Sequence, residues 1–165
     1  MAFDIVQFFL SLNYCLLSLI FDKARFDPKV SLFYNYLVGR KTQYFWNNFF
    51  SSLFNVDIGV GQDLVLSPIL SALYIAPVLY ILEKYLKIPV SILLFVNNGL
   101  LVVQNKSLTI SNSLLFCSYQ ITSSFLEKFG LTMKHGKMKV FHFSRLHGVF
   151  DSPLFDLSLL GGPIL

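Results

Sequence analysis

Residues 93–102 read LLFVNNGLLV, and this stretch decides how the middle of the chain folds. Two apolar runs meet at the polar pair Asn97 and Asn98, which Gly99 follows. Asn-Gly between two such runs is a strong signal for a two-residue hairpin turn, because both residues tolerate positive backbone φ angles. We therefore predict a pair of strands over residues 88–103 with the turn at Asn98-Gly99.

The segments on either side of this hairpin carry alternating strand and helix signals. Before the hairpin they are a strand ending near Phe8, a helix capped by Ser11, a helix from Asp27-Pro28 to Gly39, strands at TQYFW and LFNVDIGV, and a helix from Ser67 to about Tyr85. After the hairpin come a helix from Ser113 to Phe129 and a strand-like tail. Ser111 or Asn112 caps that last helix, and Gly130 stops it. Hairpin-type connections of this kind predict an α+β domain whose mainly antiparallel sheet packs against helices.

The composition is unusual for a soluble protein. The 165 residues suit one domain with a buried core. However, 55% of them are hydrophobic, and only 13% are charged, whereas about a quarter of the residues of a typical soluble protein are charged. The apolar stretch 64–82 approaches the length of a bilayer span, about 20 residues. Because Ser67-Pro68 is a good helix start and Pro77 would break a span, we favour a buried helix, and a membrane protein remains the alternative.

The cationic side chains are unevenly distributed. The net charge is +4, and the segment from Lys128 to Arg145 holds five basic residues and no acidic one. Such a segment either faces phosphate or is solvated.

Asp4 precedes the apolar stretch 5–21 where a signal peptide would have basic residues, so we expect an intracellular protein without a membrane partner. Cys15 and Cys117 have no metal-site spacing.

Six segments, taken in order, resemble the landmarks of a known family. They are FDIVQFF (3–9), YLVGRKTQ (36–43), GVGQDLVLSPIL (59–70), FVNNG (95–99), GLTMKHGKMKVFHF (130–143) and LGGPIL (160–165). This series resembles the reverse transcriptase domain of non-LTR, LINE-type retrotransposons and covers nearly the whole chain. The resemblance implies a partial reverse transcriptase over residues 1–165, with a polymerase palm-like sheet, incomplete fingers and thumb, and an RNA template and DNA primer as partners.

The resemblance also assigns roles to individual residues. It places Asp4 at the family's first metal-binding carboxylate, and Asn97 and Asn98 at its two consecutive catalytic Asp positions. The positions expected to contact nucleotide or template are Phe9, Gln62, Ser67, Pro68 and Lys137. Asp63 stands where the family has Gly, and a carboxylate there would repel a phosphate backbone.

The two asparagines change the chemistry that the resemblance implies. Polymerases of this type use two Mg²⁺ ions about 3.5 to 4 Å apart, and hard cations are bound mainly through anionic oxygen. Asp4 alone retains its charge, so we predict weak residual metal binding, no well-bound cofactor and loss of RNA-directed DNA polymerase activity. A residual nucleic-acid-binding module without catalysis, which would use Lys137 and its basic neighbours, remains open beside a multi-spanning membrane protein.

Overall fold

A computed structural model describes residues 1–25, 35, 37–61, 64–87 and 89–143. Its strands are β1 (Ala2–Asp4), β2 (Lys41–Thr42), β3 (Phe45–Trp46), β4 (Phe49–Phe50), β5 (Phe54–Asn55), β6 (Val90–Phe95) and β7 (Asn98–Val103), and its α-helices are α1 (Tyr14–Ala24), α2 (Ser67–Tyr85) and α3 (Leu108–Lys128). The mixture of helices with antiparallel strands confirms the predicted α+β class.

The chain divides into two compact units. One comprises Met1–Val6 with Val78–Leu165, and we call it the sheet unit. The other comprises Gln7–Pro77, and we call it the ribbon unit because its strands form two-stranded ribbons.

The sheet unit is built on three antiparallel strands in the order β1-β7-β6. Pairing of β6 with β7 runs from Val90 opposite Val103 to Phe95 opposite Asn98, which confirms the predicted pair of strands. Strand β1 ends at Asp4 rather than near Phe8, because the chain turns at Gln7 and enters a 3-10 helix over Phe8–Ser11.

The turn of the β6–β7 hairpin differs from the prediction. Val96 and Asn97 are the two loop residues, and Asn98 and Gly99 already belong to β7. Val96 takes a positive φ of 56°, which is rare for a β-branched residue. Gly99 is needed elsewhere, since a Cβ there would lie 2.0 Å from Cζ of the buried Phe3 ring. Packing between strands therefore sets the register, against the local turn preference.

Helix α3 packs against strands β6 and β7. It begins at Leu108, where the Ser107 side chain accepts a hydrogen bond from Ile110 N–H at 3.5 Å, so the predicted start near Ser113 is wrong. Its predicted end is confirmed: Gly130 follows the helix with a φ of +72° and donates its N–H to the carbonyl of Glu127. Glycine adopts this left-handed conformation without steric cost.

The chain after α3 lies along the outer side of β1. Bridges pair Ile5 with Met133 and Ala2 with Lys139, and a 3-10 helix over His135–Lys137 lies between them. The predicted strand-like tail is thus confined to two bridging positions in the described residues. Residues 144–165, which include the LGGPIL motif, lie outside the described residues.

In the ribbon unit, the first helix starts later than expected. Asn13, not Ser11, caps α1, since its side chain accepts a hydrogen bond from Leu16 N–H at 3.1 Å. Most of the helix predicted between Asp27 and Gly39 lies outside the described residues. The segment TQYFW contains β3, which pairs with β4 in the stretch between the two predicted segments, and β2 pairs with β5 near the start of LFNVDIGV.

Helix α2 has the predicted bounds, Ser67–Tyr85, and continues through Pro77, which does not break it as expected. Within the described part of the chain it is the one helix long and apolar enough to cross a membrane by length and composition, and 39% of that window is buried. Buried residues such as Tyr74, Val78 and Leu82 lie along it.

Candidate functional site

The first predicted site residue, Asp4, meets Asn97 and Asn98 at one end of the three-stranded sheet. Asp4 on β1 lies directly opposite Asn98 on β7. The backbone N–H of Ile5 donates to the Asn97 carbonyl at 2.7 Å, which joins β1 to the hairpin turn. Residues opposite one another in antiparallel strands have Cβ atoms about 4.5–5.5 Å apart, so these side chains share one small patch.

Lys137 completes this patch from the other side of β1. Its Nζ lies 3.3 Å from Oδ2 of Asp4, and the two side chains are 59% and 24% exposed. The backbone places it there: the N–H of Lys134 donates to the Asp4 carbonyl at 2.7 Å, and the 3-10 helix His135–Lys137 follows at once. We call Asp4, Asn97, Asn98 and Lys137 the Asp4 patch.

The two asparagines bind each other in a way that two aspartates would not. Asn98 Nδ2 donates to Asn97 Oδ1 at 3.3 Å. Two carboxylates at these positions would both be acceptors and would repel one another unless a cation lay between them. The two amides therefore bind each other without a cation between them. Asn97 is half-buried and Asn98 is exposed.

The donors of the Asp4 patch do not fit a pair of Mg²⁺ ions. Mg²⁺ prefers anionic oxygen ligands, and the patch offers one carboxylate whose charge the Lys137 ammonium already balances. Among the residues that the structure describes, no group of three or more His, Cys, Asp or Glu side chains could hold a metal ion. A divalent cation at Asp4 would have to displace Lys137.

The remaining predicted positions belong to the ribbon unit or lie outside the description. Phe9 is half-buried, with its ring centroid 5.8 Å from that of Phe8. The buried Ser67 donates its hydroxyl to the Gly61 carbonyl, so this side chain secures the start of α2, and Pro68 beside it is exposed. Gln62 and its neighbour Asp63 lie outside the described residues.

An apolar surface beside the Asp4 patch was not predicted. Strand alternation places Leu93, Phe95, Leu100 and Val102 on the same sheet face as Asp4 and Asn98. Phe95 is 79% exposed and Leu93 is 61% exposed. Strand alternation in the sequence groups these side chains on one face but does not show whether that face is covered, so only the tertiary structure reveals the surface.

A tyrosine–histidine pair next to the patch was also missed. The hydroxyl of Tyr119 on α3 lies 2.6 Å from Nδ1 of His135, which begins the 3-10 helix that carries Lys137. Burial raises the pKa of Tyr119 above its usual value. Sixteen residues separate the two side chains and no motif links them, so the sequence offers no signal for this contact.

No protein-family model matches the chain, and comparison with curated proteins finds no match either.

Proposed function

We propose that the chain is a reverse transcriptase-like palm, an RNA-directed DNA polymerase by ancestry, whose site has lost catalysis. One observation carries the proposal. Asp4, the Asn97-Asn98 pair and Lys137 come from three motifs far apart in the sequence, and they meet at one end of one antiparallel sheet. A chance resemblance of short motifs would not require them to converge.

The charge of the patch supports the loss of activity. Asp4 contributes one negative charge and Lys137 one positive charge, so the ion pair is neutral. In two-metal phosphoryl transfer, carboxylates hold the cations that activate the attacking hydroxyl and neutralise the leaving group. Because electrostatic stabilisation supplies most of that catalysis, a neutral patch lacks its main component.

Primer extension tests this proposal directly. The unmodified chain is incubated with an RNA template, a DNA primer, deoxynucleotides and either Mg²⁺ or Mn²⁺. We expect no extension above background. Extension that Asp4→Ala abolishes would overturn the claim of lost catalysis.

A binding measurement tests whether the patch is a former metal site even if no variant polymerises. The double variant Asn97→Asp, Asn98→Asp restores two carboxylates beside Asp4 and should bind Mn²⁺ more tightly than the unmodified chain, by at least about tenfold, in titrations followed by electron paramagnetic resonance. Asn55→Asp, which adds a carboxylate to an exposed position of β5, is the matched control and should leave Mn²⁺ affinity unchanged. Equal affinity of the double variant and the control would contradict the assignment of Asn97 and Asn98.

A second candidate function is nucleic-acid binding without catalysis. The observation that favours it is the exposure of Lys134, Lys137 and Lys139 along the outer side of β1, in a stretch of sequence without acidic residues. Fluorescence anisotropy with a labelled RNA–DNA primer-template should then show binding that weakens steeply as salt increases. Lys134→Ala combined with Lys139→Ala should weaken it, and Lys87→Ala, also exposed, should not.

A further inference from the structure

The β2–β5 and β3–β4 ribbons expose an exceptional set of apolar side chains. The exposed fractions are 75% for Trp46, 70% for Tyr44, 68% for Phe49, 62% for Leu53 and 60% for both Phe45 and Phe50. A large aromatic side chain has about 200 Å² of surface, so the five aromatic residues expose roughly 670 Å² in total. Summed over both faces of the ribbon, this area matches or exceeds the largest single apolar patch of a typical monomeric protein, about 300–600 Å². We call residues 44–54 the aromatic ribbon.

The rings lie on both faces of this ribbon. Phe45 is opposite Phe50, with ring centroids 4.7 Å apart, and Trp46 is opposite Phe49. Because successive residues of a strand point to opposite faces, the two pairs are on opposite sides. The ribbon is therefore a thin wedge with aromatic surface on each side, rather than a sheet with one face left uncovered.

Hydrogen bonds hold the aromatic ribbon in shape. Asn47 and Asn48 form its tip with φ angles of 45° and 63°, the combination that a tight type I′ hairpin requires. Tyr44 N–H donates to Ser51 Oγ at 2.9 Å, and Ser51 N–H donates to the Tyr44 carbonyl at 3.0 Å. The outer N–H and C=O groups of a two-stranded ribbon still need water, which confines such a ribbon to the hydrated headgroup level rather than the hydrocarbon.

The charges lie at the base of the ribbon. Residues 42–56 contain no charged side chain, whereas Lys41 on β2 is exposed, Arg40 precedes it, and the exposed Asp57 follows the segment. Arg40 is partly occupied, since its guanidinium donates to Tyr14 Oη and the Gly59 carbonyl at 3.4 Å. Uncharged Trp, Tyr and Phe with a cation at the edge is the pattern of a segment that enters the membrane interface.

Single-stranded nucleic acid fits this surface less well. Proteins that stack bases on aromatic rings also hold the phosphates with cations along the same groove. Here the residues between the rings of Trp46 and Phe49 at the tip are the uncharged Asn47 and Asn48. A bilayer needs no cation at the tip, and uncharged amides are tolerated at the level of the lipid headgroups.

We propose that the aromatic ribbon inserts into the headgroup interface of an anionic bilayer, with Lys41 against the lipid phosphates. The net charge of +4 adds long-range attraction to such a surface. This peripheral contact goes beyond the proposed polymerase ancestry and departs from the expectation of no membrane partner. It involves no membrane-spanning segment.

The single tryptophan of the chain, Trp46, reports on the proposal without any label. Vesicles of phosphatidylcholine with 30% phosphatidylserine should shift its emission to shorter wavelength, and the same vesicles with brominated acyl chains should quench it. Vesicles of phosphatidylcholine alone should produce a weaker response, and added salt should weaken binding to the anionic vesicles.

Matched variants test whether the ribbon is responsible. Phe45→Ser combined with Phe50→Ser should lower partition into anionic vesicles at least about tenfold, because the variant lacks two apolar rings that would move from water into the bilayer. Lys41→Glu should lower partition into anionic vesicles while leaving the weak response to phosphatidylcholine unchanged. Tyr80→Ser, which removes a side chain 61% exposed in the sheet unit, is the control and should not change partition. Circular dichroism checks that each variant is folded.

Three results would overturn the proposal. The first is the absence of quenching by brominated lipid in the unmodified protein, which needs no variant to interpret. The second is a spectral shift of Trp46 with a single-stranded oligonucleotide that vesicles do not produce, which would assign the ribbon to nucleic acid. The third is a shift that depends on protein concentration without vesicles, which would assign it to a second copy of the chain.

Discussion

Substitution of Gly99 by alanine probes the packing that fixes the Asp4 patch. Gly99 lies on β7 next to Asn98, and opposite it on β1 lies Phe3, next to Asp4. A Cβ at this position would be 2.0, 2.3 and 2.5 Å from three atoms of the Phe3 ring. Ordinary carbon–carbon contacts are about 3.5–4.0 Å, so the ring would have to move by roughly 1.5 Å.

The Phe3 ring is 2% exposed and has little room for that movement. Overpacking a core costs about 1–3 kcal/mol, and complete displacement of a buried Phe costs about 3–5 kcal/mol. Alanine regains roughly 0.5–1 kcal/mol through its smaller chain entropy in the unfolded state. We therefore expect Gly99→Ala to lower the free energy of unfolding by about 2 kcal/mol.

Urea denaturation followed by circular dichroism measures this change. In a Phe3→Leu background the ring is absent, so Gly99→Ala should cost at least about 1 kcal/mol less than in the unmodified protein, as a double-mutant cycle shows. Gly136→Ala is the control, since nothing lies within 4 Å of a Cβ there, and it should change stability by less than about 0.5 kcal/mol. An equal effect of Gly99→Ala in both backgrounds would refute the proposed contact.

Three further predictions concern the hairpin, the ion pair and the response to alkaline pH. Val96→Gly should raise the free energy of unfolding by about 0.5–1 kcal/mol, because it relieves the positive φ of 56°; a loss in urea denaturation would contradict this. Lys137→Met should lower the free energy of unfolding by less than about 1 kcal/mol in the same assay, because the Lys137 ammonium is largely exposed to water and ions. The neutral Tyr14 hydroxyl donates to the Gly59 carbonyl, and burial raises the pKa of Tyr14. Its contribution to the free energy of unfolding should therefore be intact below about pH 10 and lost as the pH rises further through the folded-state pKa. Denaturation as a function of pH should show this loss, and Tyr14→Phe should reduce it.

The sequence predicts the strongly patterned elements well and their ends less well. Helix α2 was predicted at its observed bounds, because Ser67-Pro68 marks its start and a long apolar pattern follows. Helix α3 begins before its predicted cap, because Ser107, Ser111 and Asn112 are all acceptable caps and only one is used. A local pattern shows that a helix exists, whereas packing selects among equivalent ends.

The candidate site shows the same division. The resemblance picked out Asp4, Asn97, Asn98 and Lys137 by their residue types and order, and the fold brings these four together. It did not indicate that Lys137 pairs with Asp4. The two side chains belong to segments over a hundred residues apart, and the fold brings the ammonium to 3.3 Å from the carboxylate. No local sequence pattern encodes such a distance.

By itself, the sequence determined the chemistry available to this protein: an α+β pattern, one carboxylate at positions where the resemblance implies three, and an uncharged aromatic segment between Lys41 and Asp57. The tertiary structure alone decided which residue forms the hairpin turn, which leucines face outward and which cation balances Asp4. The reason is physical, because register is set by contacts across strands. The ring of Phe3 leaves room only for a glycine opposite it, so Gly99 is drawn into β7 and the turn moves to Val96 and Asn97.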